Sequence, residues 1–218
     1  MTIDLNNFSF AQWVTFVFAH PLSQEKENKW YWQDDWEHDA DSSLMLDYLI
    51  RLFRNPAFLL DTYSPEQLEQ GFWFLHKPLG FLERGLKDSN VESQLRKEFI
   101  VSMGDVFERL FAVNPLNDSA CFMWWDLVIT GYFENWDTSG QLLIVDDEDS
   151  RFQRAIFETL CGIMKLDSKE CQKAALHGLG HLNHPLTEKT IQTYLNENPM
   201  IDGGLKEYAI KCSKGEIQ

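Results

Sequence analysis

Long apolar runs are missing from this chain. Stretches such as Phe16-Val-Phe-Ala19 fall far short of the roughly 20 residues that a membrane-spanning helix needs, so no membrane span is expected. Basic residues are scarce as well: 19 Lys and Arg face 34 Asp and Glu, and the resulting net charge of −15 repels nucleic acid and anionic membrane surfaces. The few cysteines, Cys121, Cys161, Cys171 and Cys212, have no C-x-x-C spacing. Single buried thiols in a reducing compartment are the expectation. The first residues, Met1-Thr-Ile-Asp-Leu-Asn-Asn7, are acidic where a secretory signal is basic, which points to the cytoplasm. A G-x-S-x-G elbow and a P-loop are also absent, and neither Gly178-Leu-Gly180 nor Gly203-Gly204 follows a strand pattern. Nucleophilic and nucleotide chemistry therefore lack their usual carriers, and no cofactor is expected.

Aromatic residues are what the chain has in abundance. With 8 Trp and 16 Phe it can bury enough surface to exclude intrinsic disorder, and some of these rings are candidates for anchors at a binding surface. A length of 218 residues is enough for one substantial core, so a single domain over residues 1–218 is expected. Its acidity is uneven. Lys165 to Gln218 holds seven Lys against seven Asp and Glu, which leaves the whole acidic excess in residues 1–164.

Helical periodicity dominates the organisation. Phe10, Trp13, Phe16 and Val17 form an apolar stripe over 8–19, and Leu44, Tyr48, Leu49 and Leu52 form another over 41–54. Ser64-Pro65-Glu66-Gln67 is a helix start: the serine accepts an orphan amide, Gln67 reaches back, and Pro65 sits where its missing amide costs nothing. Further patterns cover 56–63, 78–88, 90–111, 119–133, 151–166, 168–183, 186–196 and 204–212. Residues 21–40 lack periodicity and read as a long connection. The clearest break is an acidic loop at 134–150, which holds Glu134, Asp137, Asp146, Asp147, Glu148 and Asp149 with no Lys or Arg. Within it, Leu142-Leu-Ile-Val145 is the one candidate strand.

Two segments look alike. A shift of 107 residues places Gly71 on Gly178, Leu75 on Leu182 and Pro78 on Pro185, with Phe72 facing Leu179. A glycine inside a helix costs roughly 1 kcal/mol against alanine and usually marks close helix packing. Through Ala174-Ala-Leu-His-Gly-Leu-Gly-His-Leu-Asn-His-Pro185, and more weakly through residues 64–87, the chain resembles the HEAT-like helical repeat class. The resemblance implies an all-α fold, an irregular array of antiparallel helix pairs with about 9–11 helices, used for binding macromolecules.

Three groups of residues are candidates for function. The first is the run Trp30, Tyr31, Trp32, Asp34, Asp35, Trp36, Glu37 and Asp39, where aromatics alternate with carboxylates. The second is Trp136, Asp137, Asp146, Asp147, Glu148 and Asp149 in the acidic loop, with Met123-Trp-Trp-Asp126 nearby in sequence. Such surfaces suit a basic protein partner, the rings anchoring and the carboxylates steering. A non-enzymatic binding protein is the leading expectation, narrowed to an inhibitor of the immunity-protein kind acting on a bacterial toxin. The third group is His177, His181 and His184, at metal-ligand spacing on a continuous helix. The general-base Glu of H-E-x-x-H is replaced there by Gly178, so no metal is expected and a metal-dependent enzyme is the alternative. A nucleic-acid mimic built on the acidic loop is a further alternative, while direct nucleic-acid binding is not expected.

Overall fold

The computed structural model describes residues 2–22, 30–32, 38–76, 80–114, 119–138 and 140–217. Eleven α-helices run through them: α1 (Phe10–Phe18), α2 (Ser42–Arg54), α3 (Phe58–Thr62), α4 (Pro65–Leu75), α5 (Phe81–Lys87), α6 (Ser93–Val106), α7 (Ser119–Tyr132), α8 (Asp147–Ile163), α9 (Lys169–Leu182), α10 (Thr187–Glu197) and α11 (Gly203–Ser213). The all-α class holds. Among the described residues, extended structure is confined to two two-residue strands and one bridge. β1 (Ile3–Asp4) and β2 (His38–Asp39) pair in parallel, and Trp136 bridges Leu142 in an antiparallel contact. No helix among the described residues is long and apolar enough to cross a membrane.

Side chains explain where the helices start. Ser64 accepts from the Gln67 amide at 3.3 Å, and Gln67 Oε1 accepts from the Ser64 amide at 3.1 Å, completing the box expected from sequence. Ser9 and Gln12 repeat the arrangement at α1. Helix α8 begins earlier than its apolar periodicity suggests. Asp146 caps it through the Asp149 amide, and Asp147, Glu148 and Asp149 form its first turn, where carboxylates complement the exposed N–H groups. The acidic loop therefore ends at Val145.

The helices pack in two rows. In one, α2 lies on α6 and α6 on α8; in the other, α4 and α5 touch α7, α7 lies on α9, and α9 on α11. Contacts of α2 with α5 and of α8 with α9 join the two, and the apolar core includes Trp13, Phe53, Phe72, Phe99, Phe107, Trp124 and Trp125, all fully buried. Beyond Val106 the chain continues as a π-helical turn, Phe107–Phe111, whose three apolar residues are buried.

Candidate functional site

Helix α9 is enclosed closely on both sides, and glycine makes this possible. A Cβ on Gly178 would stand 2.6 Å from Trp125 Cβ on α7, and one on Gly180 would stand 3.3 Å from the Cys212 backbone on α11. The approach of α7 brings Asp126 to His181, with Oδ1 3.6 Å from Nε2. His177, one turn earlier on α9, meets His181 edge to face with ring centroids 4.7 Å apart. One donor atom from each of Asp126, His177 and His181 lies within 4.8 Å of the others. The approach of α11 brings the Tyr208 hydroxyl to 2.5 Å from His177 Nδ1.

Burial, with the Cys212 thiol one turn along α11 adding to it, raises the Tyr208 phenol above its ordinary value. With His177 Nδ1 engaged by the Tyr208 hydroxyl, Nε2 is the ring nitrogen left without a hydrogen-bond partner among the described residues. Burial, with His181 and Lys173 adding to it, pushes the His177 pKa down to about 4, so its imidazole is neutral. His177 is 2 % exposed, and neither its Nε2 nor that of His181 has a hydrogen-bond partner among the described residues. Phe122 closes one side, its ring centroid 4.4 Å from that of His177, with Lys173 Nζ over its face.

His184 does not join the cluster expected from sequence. Asn183 takes the left-handed conformation (φ 47°) and ends α9, a role its short polar side chain permits. The turn directs His184 onto Phe157 of α8, with ring centroids 4.0 Å apart. Asp126 and Tyr208 take part instead, and neither is legible as a partner of α9 in sequence. Asp126 follows Trp124 and Trp125, which are fully buried, so the Met123–Asp126 stretch forms packing rather than an aromatic surface.

The structure divides the acidic candidates. Trp30 and Tyr31 are buried against α4: Trp30 packs on Phe74 at 4.6 Å and stacks on His20 at 3.5 Å. They belong to the core instead of an accessible anchor surface, because a long connection needs apolar residues to hold it down. The backbone of Trp32 closes the 3-10 turn Trp30–Trp32, and the exposed Asp39 pairs with Asp4 in the short sheet. Asp34, Asp35, Trp36 and Glu37 lie outside the described residues.

The second acidic group is split: Trp136 and Asp137 lie in an antiparallel turn over residues 135–143, and Asp146 to Asp149 form the cap and first turn of α8. Asp137 N–H donates to Gln141 O and Leu143 N–H to Asn135 O, while Gly140 supplies the positive φ of the tip. Trp136 is half-buried and Leu142 buried. Leu143 and Val145 face outward at 45 % and 60 % exposure. Several carboxylates do structural work here. Asp137 accepts from the Gln141 amide and Asp146 caps α8, while Glu148 pairs at 2.7 Å with the buried Arg96. Burial and the neighbouring Asp146 push the Asp149 carboxyl above its ordinary value. Asp147 is exposed, and the exposed Glu134 reaches Lys87 at 3.3 Å.

Comparison with family models, with curated proteins and with solved structures finds no match to this chain.

Proposed function

We propose that this protein is a non-enzymatic binding module that holds the acidic turn at 134–147 against a basic protein partner. One observation carries the reading: Leu143 and Val145 stand exposed in a segment that has carboxylates on either side and no cation of its own. Apolar side chains rimmed by charge are the usual composition of a recognition patch. The −15 net charge favours rapid encounter with a basic surface. The two rows of helices, with α6, α8 and α7, α9, α11 in succession, support the HEAT-like scaffold as the element that presents it. The narrower form of the reading is a stoichiometric inhibitor, of the immunity-protein kind, covering the basic surface of a bacterial toxin.

The test uses a defined probe, a peptide alternating Lys or Arg with Leu, and maps hydrogen exchange at two ionic strengths. Protection should fall on residues 135–147, and association should slow as salt rises. A Leu143→Ser/Val145→Ser double variant should weaken binding about tenfold and leave the salt dependence in place. Glu134→Gln with Asp147→Asn should reduce the salt dependence itself. Protection elsewhere in the chain, or a salt-independent association rate, would rule the reading out.

A further inference from the structure

The junction of α7, α9 and α11 carries an inference independent of the acidic turn. We propose that Asp126, His177 and His181 form a binding site for one divalent first-row transition metal ion, with Zn2+ the best match, and that Tyr208 positions His177 for it.

Three features support the assignment. First, the donors converge from two helices. A tetrahedral centre with ligands at about 2.0–2.1 Å sets those ligands about 3.4 Å apart. Asp126 Oδ1 and His181 Nε2 stand at 3.6 Å, close to that spacing, and one donor atom from each of the three residues lies within 4.8 Å of the others. Second, the Nε2 atoms of both histidines have no other partner among the described residues. Buried polar atoms are nearly always hydrogen-bonded, and those left over need a physical account. Here two imidazole Nε2 atoms a turn apart on one helix are both buried without a hydrogen bond among the described residues. His181 Nε2 and Asp126 Oδ1 stand 3.6 Å apart, beyond hydrogen-bond distance.

Third, the surroundings prepare His177 as a ligand. Metal-bound histidines characteristically donate their second ring N–H to an oxygen, which fixes the tautomer and the ring plane. Tyr208 places its hydroxyl oxygen 2.5 Å from His177 Nδ1, in position to accept that N–H. The donor set of two nitrogens and one carboxylate oxygen suits a borderline divalent ion. Three protein ligands leave one position of a tetrahedral ion free.

The experiment titrates the full 218-residue chain, purified without a histidine tag and stripped with chelator, with Co2+ alone and then with Zn2+ in competition. One equivalent of Co2+ should bind with a visible ligand-field spectrum, and Zn2+ should displace it. Asp126→Asn and His181→Phe should each weaken affinity by at least tenfold, and Tyr208→Phe, which keeps the ring and its packing, by about tenfold. His184→Ala should stay within about twofold of wild type, because His184 lies against Phe157. X-ray absorption should show a nitrogen and oxygen shell. Less than one equivalent of Co2+ bound, sulfur in the shell, or equal loss in His184→Ala would overturn the assignment. Should His181→Phe fail to fold, the Asp126→Asn and Tyr208→Phe variants discriminate between the same outcomes.

Discussion

Helices α4 and α9 both open on a serine cap, and both press a glycine against an aromatic residue of a neighbouring helix. A Cβ on Gly71 would meet the Phe18 ring on α1, just as one on Gly178 would meet Trp125 on α7. Aligned on these glycines, Gln70 and Phe74 of α4 stand where α9 has His177 and His181. The fates of these positions differ. Phe74 is buried among Phe16, Trp30 and Phe81 with centroids 4.6–5.7 Å away, whereas His181 faces the Asp126 carboxylate. An apolar ring satisfies this position in the helix design, so packing alone does not call for an imidazole at residue 181. The same local architecture has become a core in one place and a polar cluster in the other.

Exchanging the two residues is the strongest way to break the comparison. Phe74→His places an unpartnered imidazole among aromatic rings and should cost about 3 kcal/mol or more, read as a lowered urea midpoint. His181→Phe should change stability by less than about 1 kcal/mol, since it exchanges one ring for another at a partly exposed site. Comparable losses from both exchanges would show that the histidine is a packing residue after all.

The glycines sharpen the comparison at a smaller scale. Gly178→Ala should destabilise by about 2–3 kcal/mol, because Trp125 Cβ is tied to its backbone and α7 itself must move. Gly71→Ala should cost less, since the Phe18 ring that it meets can rotate. Denaturant midpoints of the two variants, measured side by side, decide the order.

The ends of the two segments differ in their response to acid. His76 follows α4 at the position that Asn183 holds after α9. It is buried edge-on to Trp124, beside a cavity of about 240 Å3 that Glu83 also lines, and burial alone pushes its pKa down to about 3. The unfolded chain therefore binds the His76 proton more readily than the folded one. Stability from His76 is fully present above about pH 6.5 and is lost as pH falls toward 3, by roughly 2 kcal/mol at pH 5. His76→Asn, which copies the other segment, should flatten the fall in melting temperature between pH 7 and 5. An unchanged slope would show that His76 is already protonated in the folded protein.

Much of the scaffold was readable from residue order because caps and apolar periodicity act locally. Ser64 and Gln67 announce α4, and the stripes at Phe10–Val17 and Leu44–Leu52 announce α1 and α2, whose buried faces are turned onto Val14, Phe18, Met45, Leu46, Ile50 and Phe53 beside the expected Trp13, Val17, Leu49 and Leu52. The start of α8 was not readable by periodicity, since its first turn is all carboxylate and is stabilised by exposed amides rather than burial. The histidine cluster was half legible. His177 and His181 are neighbours by helical geometry alone, and His184 is separated from them by one left-handed residue. Asp126 lies about 50 residues before His177 and Tyr208 about 30 after it, and only the close approach permitted by Gly178 and Gly180 brings them in. Trp30 and Tyr31 show the opposite difficulty. Their acidic context resembles a surface, yet their rings are needed to seal α4.

The acidic turn is moored on several sides: Leu142 is buried, its carbonyl is 3.5 Å from the Asn183 side-chain amide, Glu134 reaches Lys87, and Glu148 grips Arg96. On the proposed reading these ties hold the turn in place ahead of an encounter, so binding would forfeit little conformational freedom and differences among ligands should reside in how slowly they leave.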